Sequence, residues 1–153
     1  MSFSNLTWGV KASFRGYVEA AGGSVTLADG AKWSDDGAFV FHALPDGDLT
    51  ISPDGSASGA QRFEGSVTFE AHGGMLKSTI TDLALEACED GLLLSSLDTA
   101  MNQRYDIARV ALAETVEDGA FTFRTEITLD GMMLIADNYP PGTELDPLQL
   151  NQE

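Results

Sequence analysis

The sequence predicts a mainly β fold: an antiparallel β-sandwich or open barrel with one N-terminal α-helix packed on it. Three observations support this prediction. Seven Asp-Gly pairs punctuate the chain, several short segments alternate apolar and polar residues, and one segment near the N-terminus has helical periodicity. Asp-Gly pairs supply the positive φ angles that tight hairpin turns require. The 153 residues contain no repeat or linker, so we expect a single domain over residues 1–153.

The helix is predicted to run from about Thr7 to Ala21. Thr7 is a suitable N-cap, and the Gly22-Gly23 pair provides a stop at which a left-handed residue satisfies the last carbonyls. Between these ends, apolar side chains recur at spacings of three and four residues, which predicts one face turned toward a core. The apolar positions are Val10, Phe14, Tyr17, Val18 and Ala21.

Small residues fall together on a strip of this helix beside Tyr17. At about 100° per residue, the strip contains Gly9, Ser13, Gly16 and Ala20. Each helical glycine costs roughly 1 kcal/mol relative to alanine, so a compensating role is expected. One interpretation, which the residues alone favour, is close packing of the helix on a sheet. The other is a planar ligand lying against the helix, with Tyr17 at its border.

The rest of the chain is predicted to form strands. Alternation in Gly65–His72 sends Val67, Phe69 and Ala71 inward, and Phe121–Leu129 alternates in the same way. Gly91–Leu97 is ambiguous between a strand and a buried turn. The tail from Asn138 is rich in proline and is predicted to run over the surface. Further predicted strands are Ala38–Ala43, Asp48–Ser52, Met75–Thr81 and Tyr105–Leu112.

The composition disfavours several classes of partner. With 24 acidic against 8 basic residues the net charge is −16, which repels nucleic acid and anionic membrane surfaces. No apolar run is long enough for membrane insertion, and no signal peptide is visible, so a cytoplasmic location is expected if this is the native start.

Cys88 is the only cysteine, which excludes internal disulfides and covalent haem attachment through Cys-x-x-Cys-His. It is expected to be a small core residue.

No catalytic motif is present, and the chain is predicted not to be an enzyme. The sequence lacks a nucleophile elbow, a phosphate-binding glycine loop and a His-Glu-x-x-His motif. Asp46-Gly-Asp48 lacks the further ligands of a calcium loop, so we interpret it as a turn. The two histidines, His42 and His72, would each be ordinary surface residues when considered alone.

Four segments resemble one family in the family's order. Leu6–Val18 resembles the opening of the HtaA haem-binding domain, found in actinobacterial modules that take up and relay haem at the cell surface. Gly65–Leu76 resembles its glycine, strand and histidine block, and Thr79–Leu83 resembles the strand that follows. Tyr139–Pro147 resembles its closing segment. The resemblance spans nearly the whole chain, and the first and last segments are its most specific parts.

The resemblance implies a site for non-covalently bound haem b. By motif position, Tyr17 would be the axial ligand of the ferric haem iron, and His72 would support its phenolate. Ser13, one turn before Tyr17, is a candidate hydrogen-bond donor to a propionate. Gly9 and Gly16 would provide the side-chain-poor surface that a porphyrin needs.

The function implied is a non-enzymatic module for haem uptake, transfer or storage. Its partners would be haem and other haem-relay proteins, and members of the resembled family are usually cell-surface or secreted. Lys11 and Arg15 lie elsewhere on the helical wheel and are secondary candidates for propionate contact. The alternative, from a different class, is a β-sandwich interaction or adhesion domain that keeps the fold but does not bind haem.

Overall fold

A computed structural model describes residues 2–52, 54, 56–111, 115–117, 119–135 and 138–153. Within these ranges the chain forms sixteen strands, two α-helices and one 3-10 turn. The helices are α1 (Ala12–Ala20) and α2 (Leu129–Leu134), and the 3-10 turn spans His72–Gly74. The strands are β1 (Phe3–Trp8), β2 (Ser24–Ala28), β3 (Lys32–Trp33), β4 (Phe39–Ala43), β5 (Thr50–Ile51), β6 (Ala57–Ser58), β7 (Ala60–Glu64), β8 (Ser66–Ala71), β9 (Leu76–Thr81), β10 (Ala84–Cys88), β11 (Gly91–Asp98), β12 (Gln103–Val110), β13 (Thr115–Glu117), β14 (Ala120–Phe123), β15 (Thr125–Ile127) and β16 (Leu148–Gln152).

The strands pair antiparallel and build one large sheet and two small ones. The large sheet has the order β13-β14-β16-β1-β4-β7-β10-β11-β12-β15, with β3 also paired to β4. A second sheet has the order β2-β8-β9, and β5 and β6 form a hairpin. This arrangement confirms the predicted fold class, a mainly antiparallel β structure with an N-terminal helix packed on it.

The segment before β16 joins β15, at one edge of the large sheet, to the end of β1 in the same sheet. The amide of Leu145 donates to the Thr125 carbonyl of β15, and the amide of Asp146 donates to the carbonyl of Val10, just after β1. The sheet is therefore nearly closed into a barrel. Its interior and the underside of α1 form one apolar core, in which Phe14 packs edge-on against Phe69 at 5.0 Å between ring centroids.

The predicted start of the helix is wrong, whereas the predicted stop is confirmed. Leu6 and Trp8 are buried in β1, which pairs with β4 and β16, and α1 begins only at Ala12. The alternation of Leu6 and Trp8 also fits a strand, and pairing on both edges outweighs the local helical pattern. At the other end, Gly22 has a φ of 73° and its amide donates to the Glu19 carbonyl.

The tail was predicted to run over the surface, and this prediction is wrong for its last residues. Its prolines end at Pro147, and the alternating residues that follow form β16, in which Leu148 and Leu150 are fully buried between β14 and β1. The apolar alternation after the last proline is the signal that the sequence analysis missed.

Two further expectations were wrong, and parts of three predicted elements lie outside the described residues. Asp130-Gly131 is in α2 rather than in a turn. Glycine fits position 131 because a Cβ there would collide with the carbonyl oxygen of Ile107 on β12. Cys88 ends β10 in an exposed position and is not a core residue. Gly55 and Asp118 of two predicted turns, and Leu112 of a predicted strand, lie outside the described residues.

Candidate functional site

Tyr17 is held at the surface by its neighbours on α1. Phe14 and Val18 point into the core and are almost fully buried, which fixes the rotation of the helix on the β2-β8-β9 sheet. Tyr17 then lies at the edge of the buried face, with 45% of its surface exposed. An exposed phenol on a well-anchored helix is available to a ligand without any rearrangement of the core.

His72 is placed beside Tyr17 by the turn between β8 and β9. The strand β8 ends at Ala71, and His72 and Gly73 follow with left-handed φ angles of 55° and 66°. This turn brings Nε2 of His72 to 2.6 Å from Oη of Tyr17, within hydrogen-bond distance. The structure therefore brings together the two side chains that the sequence analysis paired.

The surface around this pair is poor in side chains. Apart from local backbone and chain neighbours, a Cβ placed on Gly16, Gly22, Gly73 or Gly74 would have no atom of the described residues within 4 Å. Gly16 is the most informative of these, because it has ordinary helical geometry and an exposed position where alanine would favour the helix. Packing within the chain therefore does not explain the glycine at position 16.

Gly9 has a different environment from the one predicted. It precedes α1, so the predicted strip is reduced to Ser13, Gly16 and Ala20. A side chain at Gly9 would collide with Nη1 of Arg15, which donates to the Gly9 carbonyl at 2.6 Å. The same nitrogen forms an ion pair with Asp146 at 2.6 Å. Arg15 is thus engaged within the fold rather than turned toward Tyr17.

Ser13 lies one turn before Tyr17 and contacts the closing segment of the chain. Its hydroxyl is 2.7 Å from the Tyr139 hydroxyl, and either oxygen can donate. Lys11 lies nearby: its Nζ donates to the carbonyl of Glu144 at 2.7 Å and lies 5.8 Å from the centre of the Tyr139 ring. A polar cluster of Lys11, Ser13 and Tyr139 therefore occupies the N-terminal end of the helix surface.

Asp146 positions the whole helix, a role that the sequence analysis missed. One carboxylate oxygen accepts from the Ala12 amide at 3.0 Å, and the other binds Arg15. The N-cap residue of α1, Lys11, makes no capping hydrogen bond through its own side chain, so Asp146 caps the helix from a distant part of the chain. A lone aspartate after Leu145 carries no local signal of this role.

His72 also lines a groove that contains two exposed methionines. We call it the methionine groove; it has a volume of about 480 Å³ and is lined by His72, Met75, Leu76, Lys77, Met133, Leu134 and Ile135. Met75 and Met133 are 91% and 73% exposed. No local sequence pattern indicates the groove, because its two walls are far apart in the chain.

A larger recess lies away from Tyr17 and His72. It has a volume of about 530 Å³, and its walls include Cys88, Arg109 and Glu126. Its mixed charges and its lack of the Tyr17–His72 pair make it a weaker candidate for a haem site despite its size. Within the described ranges, no group of three or more His, Cys, Asp or Glu side chains is arranged to hold a metal ion.

None of the helices in the described part of the chain is both long enough and apolar enough to cross a membrane. The two α-helices have nine and six residues, far short of the roughly 20 needed for a helical span.

Comparison with known proteins identifies relatives of this fold. The chain is similar to the N-terminal domain of HtaA from Corynebacterium glutamicum, with 25% identity, a TM-score of 0.78, and coverage of 100% of this chain and 99% of that one. It is also similar to the C-terminal domain of the same protein, with 26% identity, a TM-score of 0.72 and coverage of 99% and 96%.

The haem-binding protein HtaB from Corynebacterium glutamicum shares the fold, with 19% identity, a TM-score of 0.69 and coverage of 97% of this chain and 91% of that one. A comparison with curated proteins found no match. The family model HtaA, described as Htaa, matches residues 4–151. With nearly its full length matched, the chain belongs to the HtaA family.

Proposed function

We propose that this chain is a non-enzymatic haem-binding module in which Tyr17 ligates ferric haem iron and His72 supports the ligand. The observation that carries the proposal is the 2.6 Å contact between the Tyr17 hydroxyl and Nε2 of His72 at an exposed surface. Membership of the HtaA family, and the shared fold of HtaB, a haem-binding protein, support the same function.

The residues present fit the chemistry of ferric haem. Fe³⁺ stabilises the anionic form of a phenol, and phenolate oxygen is a known axial ligand of haem iron. In the tautomer that carries its hydrogen on Nε2, the imidazole of His72 donates to the phenolate oxygen and fixes its orientation. When bound, haem supplies the Lewis-acidic iron; the chain supplies the ligand, its hydrogen-bond partner and a flat surface.

The surroundings of the pair support a planar ligand. The helix surface at Gly16 and the turn at Gly73-Gly74 leave open space where side chains would otherwise project. The chain lacks a Cys-x-x-Cys-His motif, so the proposed ligand, haem b, is held without covalent attachment of the c type. The exposure of Tyr17 would also allow haem to pass to or from other haem-relay proteins, as uptake, transfer or storage requires.

A hemin titration tests the proposal. Hemin is added to the purified chain and to two variants, Tyr17→Phe and Tyr105→Phe, and absorption spectra are recorded. We expect the unchanged chain to sharpen the Soret band and to show a phenolate-to-iron charge-transfer band. Tyr17→Phe should fold normally, because it removes only one exposed oxygen, yet lose that band and bind hemin far more weakly. Tyr105→Phe, on β12, should match the unchanged chain.

Two results would count against the proposal. Retention of the unchanged affinity and spectrum by Tyr17→Phe would show that Tyr17 is not the ligand. An unaltered hemin spectrum with the unchanged chain would favour the alternative, an interaction or adhesion domain that has kept the fold without the ligand.

A further inference from the structure

The methionine groove is continuous with the Tyr17–His72 pair. His72 contributes to both features, because its Nε2 contacts Tyr17 while its side chain lines one wall of the groove. The same wall continues through Met75 and Leu76, at the start of β9, and the opposite wall is the C-terminal end of α2. A ligand that contacts Tyr17 therefore has the groove directly beside it.

The α2 wall of this groove is held rigidly. The hydroxyl of Ser78, on β9, is buried and donates to the Leu134 carbonyl at 2.7 Å. At the other end of α2, Thr128 caps the helix by accepting from the Gly131 amide at 2.9 Å. The first contact ties α2 to β9, which continues from the other wall, and the second stabilises the start of α2. The groove is therefore a preformed feature of the fold.

The distribution of polarity beside Tyr17 is uneven. Lys11, Ser13 and Tyr139 form the polar cluster toward the N-terminal end of α1. The groove has the exposed thioethers of Met75 and Met133. Among the described residues that line the groove, Lys77 is the only lysine or arginine, and its Nζ lies 3.4 Å from a carboxylate oxygen of Glu70. A flexible, polarizable methionine side chain is well suited to cover an irregular apolar surface such as the edge of a macrocycle.

We infer that the methionine groove is a second wall of the haem site and receives the apolar edge of the porphyrin. Met75 and Met133 contact that edge, and the carboxylate edge lies toward Ser13 and Lys11. This inference rests on the proposed function. It adds the orientation of the ligand and two binding residues that no sequence motif indicates.

Neutral polar substitutions test the inference. The double variant Met75→Gln/Met133→Gln keeps side-chain length and net charge but removes the apolar contact. We expect it to weaken hemin binding by roughly tenfold or more, because partial burial of two methionines contributes at least about 1.4 kcal/mol. The charge-transfer band should persist, because Tyr17 is unchanged. Met75→Leu/Met133→Leu should retain near-original affinity.

Met101→Gln is the matched control, since Met101 is also exposed, at 66%, but does not line the groove. Circular dichroism and thermal melts should show that all these variants fold alike. Original affinity in the double glutamine variant, alongside loss of binding in Tyr17→Phe, would overturn this inference and leave the proposed function standing. If the unchanged chain binds no hemin, both this inference and the proposed function are wrong.

Discussion

The Tyr17 hydroxyl lies 2.6 Å from Nε2 of His72, although the two residues are 55 positions apart in the sequence. Their rings are tilted by 55° with centroids 5.7 Å apart, so the contact is made by the polar edges rather than by stacking. The bond joins α1 to the turn between β8 and β9. A change in that turn therefore alters the hydrogen bonding of the Tyr17 hydroxyl.

Replacing His72 should weaken hemin binding without removing the iron ligand. Loss of a hydrogen-bond partner around a metal ligand typically costs about 10–100-fold in affinity. We expect this loss in His72→Asn, together with a shifted charge-transfer band that still reports phenolate coordination. Asparagine is preferred to alanine because it tolerates the left-handed φ of 55° at this position. Hemin titration with absorption spectra is the measurement.

The other histidine supplies the control for this variant. His42 lies on β4, away from the turn at His72, so His42→Ala should bind hemin as the unchanged chain does. If His72→Asn gives an unchanged spectrum and affinity, the hydrogen bond plays no part in binding.

Gly16→Ala should stabilise the free protein and weaken its binding of hemin. Among the described residues, the new methyl group would have no atom within 4 Å apart from its chain neighbours and the backbone of its own helix. Alanine is also favoured over glycine in an exposed helix by roughly 0.5–1 kcal/mol. The same methyl group would separate the porphyrin from the helix. Urea denaturation of the free chain and hemin titration measure the two effects. Greater stability with undiminished affinity would place the ligand away from Gly16.

Gly9→Ala should instead destabilise the free protein, because the new side chain displaces the Arg15 guanidinium from its contacts with the Gly9 carbonyl and Asp146. The two variants should change the stability of the free protein in opposite directions. This difference distinguishes a glycine required for packing from one that faces a ligand. A loss of hemin affinity much larger than the loss of stability in Gly9→Ala would show that Gly9 contacts the ligand, as the family resemblance implies.

Ser13→Ala should lower hemin affinity only modestly. A single hydrogen bond to a propionate contributes about 0.5–1.5 kcal/mol, which corresponds to roughly 2–10-fold. The comparison ligand is hemin dimethyl ester, which lacks the carboxylate charge, so the difference between Ser13→Ala and the unchanged chain should shrink with it. An equal loss for both ligands would point to disruption of the Ser13–Tyr139 contact rather than to propionate binding.

Asp146→Ala should destabilise the fold by roughly 1–3 kcal/mol. The variant loses the cap on the Ala12 amide and leaves the largely buried Arg15 side chain without its carboxylate. Urea denaturation measures the loss. A double-mutant cycle with Arg15→Ala and the double variant measures the interaction free energy of the ion pair. This interaction should stabilise the folded state, because both side chains are mostly shielded from water. Additive effects of the two substitutions would contradict this account.

Local patterns explain why much of the β structure was predictable. Alternation places Val67, Phe69 and Ala71 in the core, as predicted, because a strand sends successive side chains to opposite faces. The Asp29-Gly30 turn has the left-handed φ angles that its sequence favours. Tyr17 borders the strip of small residues that the helical periodicity indicates, and its side chain is 45% exposed there.

The start of the helix was not predictable from the same patterns. The residues from Leu6 to Trp8 satisfy both a helical and a strand periodicity, and only pairing with β4 and β16 selects the strand. A short segment with two compatible patterns takes the one that its long-range partners stabilise. The prediction of a single domain over residues 1–153 stays a prediction.

The residues alone determined the antiparallel β character, the stop of the helix at Gly22 and the inward face of β8, because these depend on neighbours within a few positions. Only the tertiary structure decided that Asp146 caps α1, that His72 meets Tyr17 and that Met75 faces the groove opposite Met133. These contacts join segments far apart in the chain. Their geometry follows from the order in which the strands pair, which no local periodicity specifies.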